Sequence, residues 1–149
     1  MAADIVGELQ RLGGLHAMDD FVAQASSYVA PIAVRYRGVD LYELPPSNQG
    51  LVALMLLKML ERLGPSPEGP GSAARHHVLL EAARLAYAAR DAFLADPDRA
   101  DVPVDHMLSD GFIDTLVKRI DRKKRTPDLG PVPRPVGSDT TYLTVVDED

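Results

Sequence analysis

Near its end the sequence reads Gly137-Ser138-Asp139-Thr140-Thr141-Tyr142-Leu143-Thr144-Val145-Val146-Asp147. The β-branched and aromatic residues from Thr140 to Val146 predict a strand. The segment before it, Pro127 to Pro135, is rich in proline and is expected to form neither a helix nor a central strand. A strand that follows such a linker, and that no further strand follows, leaves its N–H and C=O groups without an obvious partner. Either it pairs with an earlier strand, or its sheet neighbours come from outside this sequence.

The composition of the 149 residues is that of a globular protein, with 46% hydrophobic and 26% charged residues. The net charge of −6 argues against general nucleic-acid binding, and the lack of cysteine excludes disulfides and thiolate metal sites. The longest apolar run, Leu51 to Leu57, is too short to span a membrane. No targeting segment is visible, which favours a cytoplasmic location. We expect no cofactor and no metal.

The pattern of apolar residues upstream predicts a mostly helical α+β chain with one early hairpin. Strands are predicted from Tyr28 to Arg37 and from Leu41 to Leu44, with a turn at residues 37–40. Helical spacing predicts helices over residues 3–12, 19–26, 49–63, 77–95, 105–108 and 110–121. Within the fourth of these, Glu81 and Arg84 are predicted to lie on the solvent-facing side as an i,i+3 pair.

Two groups of polar residues have the composition of binding sites. His76, His77 and Glu81 include two ligand types at a spacing found in helical metal sites, but no third ligand is suitably spaced. The simpler interpretation is a helix start at the surface. The basic residues between Lys118 and Arg125 suit either a nucleic-acid or membrane patch, or a solvated helix end that complements the macrodipole. The absence of interleaved aromatic residues favours the helix end.

Six segments, taken together and in order, resemble the γ-glutamyltranspeptidase family. Each segment alone is a weak sign of the family, but the ordered set extends along nearly the whole chain. The segments are Tyr36-Arg37-Gly38, Leu41-Tyr42-Glu43-Leu44-Pro45-Pro46-Ser47-Asn48-Gln49-Gly50, residues 81–90 (EAARLAYAAR), Asp96-Pro97, Val102-Pro103-Val104 and residues 139–147 (DTTYLTVVD).

The resemblance implies a precursor that cleaves itself between Asp139 and Thr140 into a large and a small subunit, which form a heterodimer. It identifies Thr140 as the catalytic nucleophile and implies the layered αββα fold of N-terminal-nucleophile hydrolases. The chemistry is consistent with this role: a threonine freed at its N-terminus has an α-amine with a reference pKa of about 7.7–8.0, which can act as the base for its own hydroxyl. The implied substrate is a small γ-glutamyl or other amide.

On this basis residues 1–122 are expected to be the C-terminal part of the large subunit, 123–139 a basic and proline-rich linker, and 140–149 the start of the small subunit. Tyr142 and the loop at residues 45–50 look more like the acylase and amidohydrolase members than the transpeptidases proper. Ala89 replaces an aspartate that the family often has, which would weaken an ion pair of Arg90. We expect an internal fragment that is inactive alone. The alternatives are a non-catalytic helical binding module and one chain of a split enzyme.

Overall fold

The computed structural model describes residues 1–126, and the chain divides into two compact units, Met1–Ala30 and a second that begins at Pro31. In the first unit α1 spans Ala2–Arg11 and α2 spans Met18–Ala23. Both predicted helices are present. The N-cap of α2 is Ala17, and the Asp20 carboxylate accepts a 2.8 Å hydrogen bond from the N–H of Ala17.

The second unit begins with an antiparallel hairpin of β1 (Ile32–Tyr36) and β2 (Val39–Glu43). The predicted first strand began at Tyr28, but β1 begins only after Pro31, which has no N–H to offer to a ladder. The turn is also tighter than expected. It consists of Arg37 and Gly38 alone, with φ angles of 49° and 87°, so the second strand begins at Val39 rather than Leu41.

Four helices follow the hairpin: α3 (Gly50–Leu63), α4 (Ala73–Phe93), α5 (Val104–Met107) and α6 (Asp110–Val117). All four were predicted, and the largest differences in their bounds are at the start of α4 and the end of α6. The fourth predicted helix starts earlier, at Ala73, because the Ser72 side chain accepts a hydrogen bond from the N–H of Arg75 and caps α4. The last predicted helix ends at Val117 rather than Asp121.

The core of the second unit forms around α3, which packs against α4, α6 and both strands. The sequence of α3 is apolar on nearly every side before Lys58, as expected of a buried helix. The fully buried side chains of this core belong to α3, α4, α5 and α6, and they include Leu51, Met55, Met59, Leu85, Met107 and Ile113.

Charged residues join α3 to the start of α6 at the rim of this core. Lys58 donates to the carbonyl of Leu108 at 2.6 Å and pairs with Asp110 at 2.8 Å, while Arg62 pairs with both Asp110 and Asp114. The hydrogen bond from Lys58, with the charges of Lys58 and Arg62, lowers the pKa of Asp110 below its usual range. These contacts orient α6, and therefore the chain that leaves its C-terminus.

The described part of the chain is thus mostly helical with one small two-stranded sheet. The strand predicted over residues 140–146 lies outside the described residues, as do Asp139 and most of the predicted linker. Between residues 1 and 126, no helix has the length and apolarity needed to cross a membrane.

Candidate functional site

The two residues assigned to the cleavage site by resemblance, Asp139 and Thr140, lie beyond the described residues. The structure therefore describes the approach to this site, up to Thr126. Thr126 is buried although the residues around it, from Asp121 to Arg125, are exposed. Thr126 is held in place by two charged side chains of α4, with which it forms a small polar cluster.

We call this cluster the linker anchor and define it as Glu81, Arg84 and Thr126. One carboxylate oxygen of Glu81, Oε2, accepts a 2.7 Å hydrogen bond from the backbone N–H of Thr126. The other, Oε1, accepts from Nη1 of Arg84, also at 2.7 Å. Arg84 Nη1 in addition donates to the carbonyl of Thr126 at 3.3 Å, so the pair on α4 binds both polar groups of the Thr126 backbone.

The Glu81 carboxylate is held in its charged form. Glu81 is only 3% exposed, and this burial raises the pKa of its carboxyl, but hydrogen bonds from Thr126 and Arg84 and the Arg84 charge outweigh it. The net pKa is lowered from 4.5 to about 2. The prediction that Glu81 lies on the solvent-facing side of its helix is therefore wrong. Its i,i+3 spacing to Arg84 matches a surface pair, but the chain near Thr126 covers it.

The local structure explains how the anchor is assembled. The Ser72 side chain caps the start of α4, the helix that carries Glu81 and Arg84. The Thr126 hydroxyl donates to the carbonyl of Arg119, just after α6. Thr126 is distant from Glu81 in sequence, and no helical or strand periodicity connects the two. Sequence reasoning missed this residue for that reason. A buried, fully paired carboxylate of this kind is suited to hold a segment in place rather than to transfer protons at neutral pH.

A second polar cluster ties the loop at residues 45–50 to α4. Nη1 of Arg90 donates to the side-chain oxygen of Gln49 at 2.8 Å, and the guanidinium lies 4.7 Å from the centre of the Tyr87 ring. Arg90 also pairs with Asp91 at 2.7 Å. Asp91 therefore supplies the carboxylate that pairs with Arg90. The residue before Arg90, where the family often has an aspartate, is Ala89, and its side chain is buried in the core.

The loop also approaches the hairpin closely at Gly50. A Cβ atom at this position would come within 2.6 Å of the Cβ of Glu43, at the end of β2. Only glycine fits this approach without displacing Glu43. The two clusters therefore position two of the segments that carry the family resemblance, residues 41–50 and 81–90, together with the start of the linker.

The histidines do not form a metal site with Glu81. His77 Nε2 lies 2.9 Å from the carbonyl of Asp121, and His76 Nδ1 lies 2.8 Å from the carbonyl of Ser72. Residues 1–126 contain no group of three or more potential ligands that could hold a metal ion. In the basic segment, Arg122 donates to the carbonyl of Leu63 at the C-terminus of α3.

Comparison with known proteins places these features in a family. The sequence model of the gamma-glutamyltranspeptidase family matches residues 1–149. The chain is 36% identical over 149 residues to the glutathione hydrolase-like YwrD proenzyme of Bacillus subtilis, covering 100% of this chain and 28% of the relative. It is 32% identical over 154 residues to the glutathione hydrolase proenzyme of Escherichia coli, covering 100% of this chain and 27% of that protein.

The fold agrees with a solved structure of the same family. The similar structure is the crystal structure of Helicobacter pylori gamma-glutamyltranspeptidase. The superposition covers 85% of the present chain and 36% of the Helicobacter pylori chain, with a TM-score of 0.72 and 26% sequence identity. The chain therefore spans little more than a third of this structure, and about a quarter of the curated relatives above.

The prediction that the chain is closer to the acylase and amidohydrolase members is wrong. An acylase ACY 1 proenzyme from Pseudomonas is 29% identical over 91% of the chain, below the identity of both glutathione hydrolase relatives. The prediction rested on Tyr142 and on the loop at residues 45–50. These are few residues, and the identity over the whole chain outweighs them.

Proposed function

The chain belongs to the gamma-glutamyltranspeptidase family, and from this we propose that it carries the self-cleavage junction and the nucleophile of an N-terminal-nucleophile amide hydrolase with an αββα fold. The observation that carries the proposal is the family match, which extends through Asp139 and Thr140 to residue 149. The relatives described above are proenzymes by name, which supports processing of the precursor at this junction.

Cleavage at the junction also activates the nucleophile. Hydrolysis of the Asp139–Thr140 peptide bond consumes one water, leaves a carboxylate on Asp139 and frees the α-amine of Thr140. Before cleavage this nitrogen is an amide and cannot accept a proton. After cleavage it is an amine with a reference pKa of about 7.7–8.0, close enough to neutral pH to take the proton of the Thr140 hydroxyl.

The reaction then proceeds in two steps. The Thr140 hydroxyl oxygen attacks the amide carbonyl of the substrate, and the α-amine passes the proton to the departing amine, which leaves an ester on Thr140. Water then cleaves this ester in hydrolysis, or a second amine cleaves it in transfer. The names of the two glutathione hydrolase relatives favour a γ-glutamyl amide as the substrate.

The described residues contribute the start of the segment that leads to the junction. Thr140 lies fourteen residues after Thr126, a distance of at most about 50 Å when the chain is fully extended. The linker anchor fixes one end of this segment through the backbone of Thr126.

The activity test uses the full-length proenzyme that contains this sequence, with glutathione as the probe. Thr140→Ala removes the nucleophile and is expected to abolish release of the amine product. Thr140→Ser retains a hydroxyl and an α-amine and is expected to keep measurable activity. Thr141→Ala, the matched control, changes the neighbouring threonine and is expected to retain activity far above that of Thr140→Ala. Equal activity in the Thr140→Ala and Thr141→Ala proteins contradicts the proposal.

A further inference from the structure

A cavity of about 100 Å³ in the second unit is lined by three arginines from separate parts of the chain. Arg37 lies in the hairpin turn, Arg75 in the first turn of α4 and Arg122 after α6. An adjoining cavity of about 240 Å³ shares Arg37 and Arg75. We call the two together the arginine groove. Its other lining residues include Tyr36, Leu60, Ser66, Val78 and Leu79.

Among residues 1–126, none of these three guanidinium groups forms an ion pair with a carboxylate. Arg75 donates to the carbonyl of Pro70 at 2.6 Å, and Arg122 to the carbonyl of Leu63. The Arg37 guanidinium lies 5.1 Å from the centre of the Tyr36 ring. A carbonyl or a ring accepts one contact but neutralises no charge, and each guanidinium carries five N–H donors.

Within residues 1–126, Glu61 is the acidic side chain that is hydrogen-bonded to this region, and it does not pair with a guanidinium group there. Oε2 of Glu61 accepts a 3.0 Å hydrogen bond from the backbone N–H of Arg37 rather than from its side chain. Three positive charges therefore converge on one cavity in a chain whose net charge is −6. Leu60, Val78 and Leu79 line the same cavity. Their apolar side chains suit a ligand that joins acidic groups through a short hydrocarbon segment.

We propose that the arginine groove binds a small dicarboxylate anion, with the guanidinium groups holding the carboxylates and the apolar wall holding the carbon chain between them. Arginine suits this role because its planar fork matches a carboxylate with two parallel hydrogen bonds. This proposal rests on residues 1–126 and does not depend on the proposed amide chemistry.

The test measures binding of succinate to the 149-residue chain by isothermal titration calorimetry, at constant ionic strength set with chloride. The wild type is expected to show saturable binding. Arg75→Gln and Arg122→Gln each remove a charged donor and are expected to weaken the affinity about tenfold. Both side chains are exposed, so these variants are expected to fold, and circular dichroism checks that they do.

Arg99→Gln is the matched control. Arg99 is exposed, has no carboxylate partner among residues 1–126 and does not line the groove, so its loss is expected to change the affinity less than twofold. A wild type that does not saturate, or an equal loss of affinity in the Arg75 and Arg99 variants, overturns the proposal. Inorganic phosphate serves as a second probe, and phosphate binding as tight as that of succinate contradicts the assignment to a dicarboxylate.

Discussion

Glu81 is the residue at which the described structure differs most from the expectation drawn from sequence. Its neighbour at i+3, Arg84, gives it the pattern of a surface ion pair, yet the structure buries it against the backbone of Thr126. A buried carboxylate is stable only when it is paired and hydrogen-bonded, and Glu81 meets both conditions. We infer that its role is to hold the start of the linker.

Replacement of Glu81 by glutamine is expected to destabilise the chain by about 2 kcal/mol. The change removes the charge that faces Arg84. It also replaces one of the two acceptor oxygens by an NH2 group, which cannot accept a hydrogen bond from Thr126 or Arg84. Urea unfolding measures this loss. The control, Glu68→Gln, alters an exposed glutamate in the loop between α3 and α4 and is expected to change stability by less than about 0.5 kcal/mol. Equal stabilities of the two variants would show that the anchor contributes nothing.

The lowered pKa of Glu81 gives stability a defined pH dependence. Because the folded pKa lies below the ordinary value of 4.5, the ionised carboxylate stabilises the fold above pH 4.5, and this contribution is lost as the pH falls from 4.5 to about 2. The full contribution is at most about 3 kcal/mol. Unfolding measured across this range is expected to show a shallower pH dependence in Glu81→Gln than in the wild type. Parallel curves for the two proteins contradict the assignment.

At the scale of elements, the hairpin turn shows what sequence patterns could and could not supply. The alternation of apolar residues and the Arg37-Gly38 pair correctly predicted two strands joined by a turn. Their bounds were wrong because the alternation continues through residues that do not pair, and because the two-residue turn needs positive φ at both positions. Glycine adopts this conformation readily at the second position, whereas Arg37 gives no signal of it at the first.

The turn predicts a difference between two glycines. Gly38 and Gly71 both have open space where a Cβ would lie, but only Gly38 has a left-handed φ, of +87°. Gly38→Ala is therefore expected to destabilise the second unit by about 1 kcal/mol through backbone strain. Gly71→Ala is expected to be neutral or slightly stabilising. Thermal unfolding followed by circular dichroism compares them, and equal midpoints would count against the turn geometry.

At the scale of the whole molecule, the helices of the core were predictable because their apolar residues recur at helical spacing over long stretches. The apolar run of α3 correctly indicated a buried helix, and the buried residues of α4 and α6 follow the same period. The linker anchor and the arginine groove were not predictable, since each joins residues that are remote in sequence. Contacts of this kind depend on how α3, α4 and α6 pack, which no local pattern encodes.

The central claim concerns the bond between Asp139 and Thr140, and intact-mass analysis of the purified full-length proenzyme tests it most directly. We expect two polypeptides, the smaller of which begins at Thr140, from the wild type and from Thr141→Ala. We expect a single uncleaved species from Thr140→Ala after the same incubation. Cleavage of the Thr140→Ala protein at this bond, or a small polypeptide that begins at any other residue, would contradict the account.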